Sequence, residues 1–305
     1  MMPDIVIHGA TSFIGKHLIK RLLSEKIPLV VISRSSSDLS AYQNNSLIRI
    51  FRYTDSVNEI NAKDIQLNNP VFFEFAWKGV FGSERNEETQ LSVNVPLIRD
   101  TIQLAHRLNS YHWIGIGSQA EYGNLNKRIS ETDKCEPTTL YGKAKLECSL
   151  LSANLCREYG LQHSWLRLFS VYGPDDNHEW LIQYLIKEML HGNEVNVTKG
   201  EQVWDYLYID DMVDALIKLS GRPGVGIANI GTGKGVSVRT IIEKIHELTG
   251  SNSKINFGVI PYRDDQVMLM EADITKLSSH LDWEPKIDIE EGLKRTVSSL
   301  MRFVG

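Results

Sequence analysis

The stretch from residue 5 to residue 24 constrains the fold more than any other. Ile5-Val6-Ile7-His8 reads as a short buried strand, and Gly9-Ala10-Thr11-Ser12-Phe13-Ile14-Gly15 follows as a turn. The apolar set Ile14, Leu18, Ile19, Leu22 and Leu23 then keeps helical spacing to about Ser24. Strand, glycine turn and helix in that order are what a dinucleotide pyrophosphate requires, because the turn's amides and the helix N-terminus face the anion. Gly9, Thr11, Ser12, Phe13, Ile14 and Gly15 are therefore the candidate contacts. Ser12 takes the middle position of a G-x-x-G-x-x-G pattern, where a Cβ crowds the backbone's approach while the hydroxyl can donate to a phosphate. A tight turn in any α/β protein remains the alternative for this stretch alone.

Strands and helices alternate from there. A second strand at 29–32 ends in Ser33-Arg34. An acidic residue there suits the ribose 2′-hydroxyl of NAD, whereas an arginine without an acid suits the 2′-phosphate of NADP. A solvated loop arginine is the plainer alternative. Residues 47–51 read as a third strand, with Asp55 beyond it as a possible adenine contact. Residues 71–76 form a fourth, leading through Ala76 into Trp77. A helix follows at 94–108, then a strand at 111–116, a helix at 141–159 and a strand at 164–169. This alternation, continuing to residue 248, predicts an α/β fold with a doubly wound, mostly parallel sheet. The dinucleotide-binding domain is expected at 1–173, with 198–248 returning to it. Residues 174–197 and 249–305 would form a smaller substrate-binding lobe. Asp210-Asp211 precede an apolar-periodic helix, so N-capping is a better account of the pair than acid/base or metal chemistry.

Composition removes other classes. The chain has 305 residues, 42% hydrophobic, with a net charge of -5, which is enough for a large core and argues against a dedicated nucleic-acid binder. No apolar run is long enough to span a bilayer, and no basic-then-apolar leader is visible before residue 5, so a cytoplasmic protein is expected. The three cysteines lack metal-type spacing and fit a reducing compartment, and no metal is expected.

Residues 114–145 carry the candidate chemistry. Ser118 ends a strand, and Tyr141 and Lys145 stand four apart, one turn along one helical face. A free phenol ionises near pH 10, and a nearby ammonium lowers that value, so Tyr-x-x-x-Lys is a potential proton donor beside a hydroxyl. Taken alone, the spacing also suits an ordinary solvated helix.

The order of Gly9…Gly15, Asn94, Ser118, Tyr141-x-x-x-Lys145, Arg167…Tyr172-Gly173-Pro174, Asp205-Tyr206…Asp210-Asp211, Asn229-Ile230-Gly231 and Arg263 resembles the extended short-chain dehydrogenases. More narrowly it is similar to their sugar-nucleotide epimerase, dehydratase and reductase group. The resemblance implies a catalytic triad of Ser118, Tyr141 and Lys145, with Lys145 also holding the nicotinamide ribose and keeping the phenol acidic. It places Ala76 and Asn94 beside the cofactor. It makes Arg263 the grip on a nucleotide diphosphate, and Trp77, Gln119, Ser170 and Trp204 substrate-side positions. Three departures narrow this. Gln119-Ala120 replace the Asp-Glu with which the dehydratases remove water, Ser170 replaces an Asn, and Trp204 replaces an Arg. The segment 117–123 and the tail Tyr262-Arg263-Asp264-Asp265-Gln266-Val267-Met268 look most like nucleoside-diphosphate 4-keto-6-deoxyhexose reductases. NADP(H) is thus favoured as cofactor, with NAD(H) open. An NAD-dependent 4-epimerase and a non-catalytic dinucleotide-binding regulator are the other readings. By the same resemblance, a homodimer through helices 94–108 and 141–159 is expected.

Overall fold

Seven parallel strands in one sheet set the position of everything else. The computed structural model describes residues 3–264 and 266–304, and Asp265 of the tail motif lies outside the described residues. The strands are β1 (Ile5–His8), β2 (Leu29–Arg34), β3 (Ile48–Tyr53), β4 (Val71–Glu74), β5 (His112–Ser118), β6 (Gln162–Leu168) and β7 (Gly226–Ile230). Their order across the sheet is β7-β6-β5-β4-β1-β2-β3, so the chain reverses direction of travel between β1 and β4. Such a switch point opens a crevice at the strands' C-terminal ends. Gly9, Ala76 and Ser118 all emerge at that edge.

Burial on both faces explains the apolar runs. β1 and β4 are buried throughout, as parallel strands covered by helices must be. Ile5 and Ile7 point into one core with helix Phe13–Ser24 and helix Ile209–Ser220, while Val6 points into the other. That second core packs helix Asn94–Arg107 and helix Leu140–Tyr159 against Trp113 and Trp165. Cys148 and Cys156 sit in it, and burial pushes both thiols up to about 12, leaving them inert packing groups.

Residues 198–248 divide between two layers. Strand β7 and helix Ile209–Ser220 belong to the large sheet and its cover. Strand Val203–Tyr208 instead pairs with Ser170–Tyr172, Gly235–Ser237 and Leu269–Ala272, in a second sheet that reaches Lys127–Ile129. A further pair joins Val195–Val197 to Ile255–Phe257.

The acidic pair differs from the capping expectation. The residue before helix Ile209–Ser220 is Tyr208, which makes no side-chain cap, and both acids lie in the first turn. Asp211 accepts from the amides of Lys286 and Ile287 at 3.1 and 2.9 Å, and Asp210 pairs with Arg295 at 3.4 Å. A distant stretch of backbone needed acceptors, and the helix start provided them.

Candidate active site

The glycine turn folds as a dinucleotide cradle. Gly9 has φ +88°, and a Cβ there would stand 2.5 Å from the Ala76 amide nitrogen. Only glycine combines that conformation with that approach. A Cβ on Gly15 would meet the Gly9 carbonyl oxygen, an equally closed approach. Ser12 is the N-cap of helix Phe13–Ser24, and its Oγ accepts from the Gly15 amide at 3.0 Å. Its side chain thus completes the turn, and the hydroxyl proton remains to donate outward. Beside the turn lies a cavity of about 400 Å³ lined by Thr11, Lys16, Ser37, Asp38 and Tyr42 among others. Ser33 is buried at the end of β2, and Arg34 is exposed there. Arg52 holds the loop beyond by donating to the carbonyls of Arg34, Ser35 and Ser37. Asp55 lies exposed past β3. These residues fit a dinucleotide.

Ser118, Tyr141 and Lys145 meet across the crevice from the cradle. Ser118 closes β5, and its Oγ accepts from the Ala120 amide at 3.1 Å. The Tyr141 phenol is buried, with Ser118 among the groups that act on it. The Lys145 ammonium donates to the Ile116 carbonyl at 2.7 Å and lies 3.5 Å from the centre of the Trp77 ring. Burial lowers its pKa to about 8 despite the nearby acids Glu121 and Glu74. Burial also pushes Tyr141 above the ordinary phenol value, against the pull of the Arg85 guanidinium and the Ser118 hydrogen bond. Spacing suggested an acidified phenol beside Lys145. In the fold, desolvation outweighs the cations, and the cation stacked on the ring is Arg85, 4.1 Å from its centre.

The remaining predicted positions divide. Trp77 stands edge-on to Tyr141 at 5.9 Å and roofs Lys145. Burial lowers the Arg85 pKa, and Arg263, exposed in the lobe, lies near enough to lower it further, against the opposing pull of Tyr141. Gln119 borders the site in a short helical turn, Gln119–Glu121. Asn94 is fully buried and clamps the loop after β4: it accepts from the Lys78 amide at 2.9 Å and donates to the Lys78 carbonyl at 3.0 Å. Trp204 donates to the Val267 carbonyl at 2.9 Å inside the lobe, and Ser170 begins a strand of the second sheet. Among the described residues, no group of His, Cys, Asp and Glu is placed to hold a metal ion.

Other features escaped the sequence reading. Glu121 is buried beneath Ser118, where its Oε1 accepts from the Ser118 amide and Trp165 Nε1, both at 2.9 Å. Its Oε2 accepts from Arg167 Nε at 2.7 Å. His8 Nδ1 contacts the Glu74 carboxylate at 2.7 Å and its Nε2 the Tyr53 hydroxyl at 2.8 Å, joining the C-terminal ends of β1, β4 and β3. Phe81, in the loop after β4, meets Trp180 at 5.0 Å and so bridges that loop to the start of helix Leu181–Leu190.

A family model described as the NAD dependent epimerase/dehydratase family matches residues 5–231. The chain belongs to that family. Within it, the chain is 27% identical to CDP-abequose synthase of Salmonella muenchen over 304 residues, 96% of this chain and 97% of the relative. It is 36% identical to UDP-glucuronate 4-epimerase of Thermodesulfobacterium geofontis over 223 residues, 72% of this chain and 68% of the relative. The solved structure of MoeE5 in complex with UDP-glucose and NAD superposes with a TM-score of 0.84 at 26% identity, covering 99% of this chain and all of that one.

For this epimerase/dehydratase family member the Glu121–Arg167 pair makes a direct prediction. Replacing Arg167 by Met leaves a buried carboxylate with its charge uncompensated, which costs about 3–5 kcal/mol. Urea unfolding of Arg167→Met should show that loss. A midpoint equal to wild type would mean that the Glu121–Arg167 pair does not hold the fold together.

Proposed function

We propose that the chain reduces the C4 ketone of a nucleotide-linked 4-keto-6-deoxyhexose, with NADPH as the preferred cofactor. The observation that carries this reading is the placement of Glu121. It is the carboxylate nearest the Ser118–Tyr141 pair in sequence, and it is turned inward and fully engaged with Ser118, Trp165 and Arg167. Gln119 and Ala120, which border the pair, have no acid/base capacity for removing water. What remains facing the substrate is a hydroxyl pair suited to a carbonyl oxygen. Similarity to CDP-abequose synthase along nearly the whole chain supports the same class.

The chain's own residues divide the work. Gly9, Thr11, Ser12, Phe13, Ile14 and Gly15 would hold the pyrophosphate, Ser33 and Arg34 the 2′-phosphate, and Asp55 the adenine. Ala76 and Lys145 would flank the nicotinamide riboside, with Asn94 fixing the loop between. The nicotinamide supplies the hydride. Ser118 and Tyr141 donate to the ketone oxygen, and Tyr141 gives its proton to the developing alkoxide. Donors fixed before reaction in a buried site need no reorganisation, which is where most of the rate advantage arises. Arg263, near Arg85, would meet the diphosphate, and Trp77, Gln119, Ser170 and Trp204 would border the sugar.

A second reading is an NAD-dependent nucleotide-sugar 4-epimerase, favoured by the 36% identity to UDP-glucuronate 4-epimerase. The pure protein mixed with NADPH or NADH and a panel of CDP-, dTDP-, GDP- and UDP-4-keto sugars separates the two. Loss of nicotinamide absorbance is the expected result. Epimerised sugar without cofactor consumption would establish the second reading. In the same assay Arg34→Ala should raise KM for NADPH about tenfold or more, since a charge-assisted phosphate contact is worth about 1.5–3 kcal/mol, and change KM for NADH little. Equal losses would remove Arg34 from the phosphate.

The helices Asn94–Arg107 and Leu140–Tyr159 pack side by side within one chain, and Leu150 on the second is exposed. A homodimer through this pair, in the cytoplasm, completes the proposal. Light scattering should give twice the chain mass, and the mass of a single chain would remove the dimer.

A further inference from the structure

The loop after β4 carries a guanidinium to the site and leaves most of its donors unused. Segment Gly82–Asn86 is docked on the helix that bears Tyr141, because Asn86 Oδ1 accepts from the Leu140 amide at 3.1 Å. Gln90 holds the other side of the segment, donating to the Glu84 carbonyl at 3.0 Å and to that of Gly79. Its Oε1 accepts from Trp77 Nε1 at 2.9 Å and from Asn94 at 3.2 Å, so the loop is tied down from several directions. Arg85 extends from this loop, half-buried, with its guanidinium 4.1 Å from the centre of the Tyr141 ring. The flat face of the group is used in that contact, and its edge is not. Among the described residues the guanidinium makes no ion pair, and its one hydrogen bond is a long one, from Nη1 to the Val80 carbonyl at 3.5 Å. The remaining nitrogens stay open to solvent. A second cation, Arg263 of the lobe, lies near enough for its charge to act on Arg85. Two positive groups held near each other in a part-buried place repel, and an anion between them relieves both.

We propose that Arg85 is a substrate-binding residue that takes the sugar-linked phosphate of a nucleotide sugar, together with Arg263, and thereby fixes the sugar ring with C4 at Tyr141. The inference rests on the nucleotide-sugar reading of this site. On that reading the diphosphate is the charged part of a 4-keto-6-deoxyhexose substrate, so it is the group that a cation beside the reacting phenol can answer. C1, which bears the phosphate, and C4, which bears the ketone, lie across one pyranose ring. An arginine stacked on Tyr141 can therefore hold one end of the ring while Ser118 and Tyr141 hold the oxygen at the other. The guanidinium fork matches two phosphate oxygens at once, which fixes direction as well as distance. Two anchored ends leave the ring little freedom to turn, the kind of orientation that brings a reacting carbon into line.

The phosphate contact can be measured apart from the sugar and from turnover. With the cofactor site filled by saturating NADH or NADPH, calorimetry compares CDP, dTDP, GDP and UDP each with its own monophosphate. The wild-type protein should bind one diphosphate at least about tenfold more tightly than its monophosphate, the scale of one charge-assisted contact. Arg85→Met should remove about tenfold of that ratio while the monophosphate and the cofactor bind nearly as before. Arg85→Lys, a charge without the fork, should keep part of it. Arg85→Gln repeats the measurement where the Met variant loses cofactor binding. A diphosphate bound no more tightly than its monophosphate, or a ratio unchanged in both Arg85→Met and Arg85→Gln, overturns the assignment while the nucleotide-sugar reading stands. Loss of cofactor binding in both variants also overturns it, because Arg85 would then support the fold. Failure of every diphosphate to bind the wild-type protein overturns the nucleotide-sugar reading, and this inference with it.

Discussion

The site depends on one buried carboxylate. Glu121 receives the Ser118 amide, the Trp165 indole and the Arg167 guanidinium, and so joins the end of β5 to the middle of β6. An ionised acid at such depth is tolerated only when paired and fully hydrogen-bonded. That requirement fixes the turn Gln119–Glu121 and thereby the direction of the Ser118 hydroxyl. Arg167 is in turn stacked 4.5 Å over Tyr122, whose hydroxyl donates to Asn229 in β7 at 2.7 Å. Three neighbouring strands are thus locked together directly behind the reacting groups. The same lock engages both carboxylate oxygens of Glu121, and on the proposed reading this leaves the Ser118 and Tyr141 hydroxyls to face the substrate.

Proton transfer at this site is then a balance between desolvation and charge. Burial raises the Tyr141 pKa and lowers the Lys145 value to about 8. Both shifts have one cause, the cost of a charge in a poorly hydrated place. A phenol kept neutral near pH 7 is a competent donor to an alkoxide, and it needs a cation only as the proton leaves.

Much of this was legible in the sequence. The glycine turn and the alternating strands follow from local patterns, because periodicity and turn chemistry act over a few residues, whereas the grouping of Ser118 with Tyr141 and Lys145 came from the family resemblance, their spacing alone suiting an ordinary solvated helix. Strand ends shifted by only a residue or two, as at β3 and β5. What was not legible depends on distance along the chain. His8, Tyr53 and Glu74 come from three strands 45 and 66 positions apart, and no spacing rule connects them. Glu121 stands in a plain Glu-Tyr-Gly triplet, and only its partner on β6 shows that it points inward. Arg85 lies in a glycine- and charge-rich loop with no periodicity, so its place over Tyr141 depends on how that loop docks. Asp211 read as a cap because a helix followed it, whereas its partners arrive 75 residues later.

The central claim is that hydride enters the sugar at C4 while Tyr141 supplies the proton to the oxygen. The most direct measurement gives the protein NADPH deuterated at the transferring position together with the 4-keto sugar it consumes, and follows the product by NMR. One deuterium on C4 for each cofactor oxidised is the predicted result. A product epimerised or dehydrated with no deuterium at C4, and with the cofactor still reduced, would contradict it.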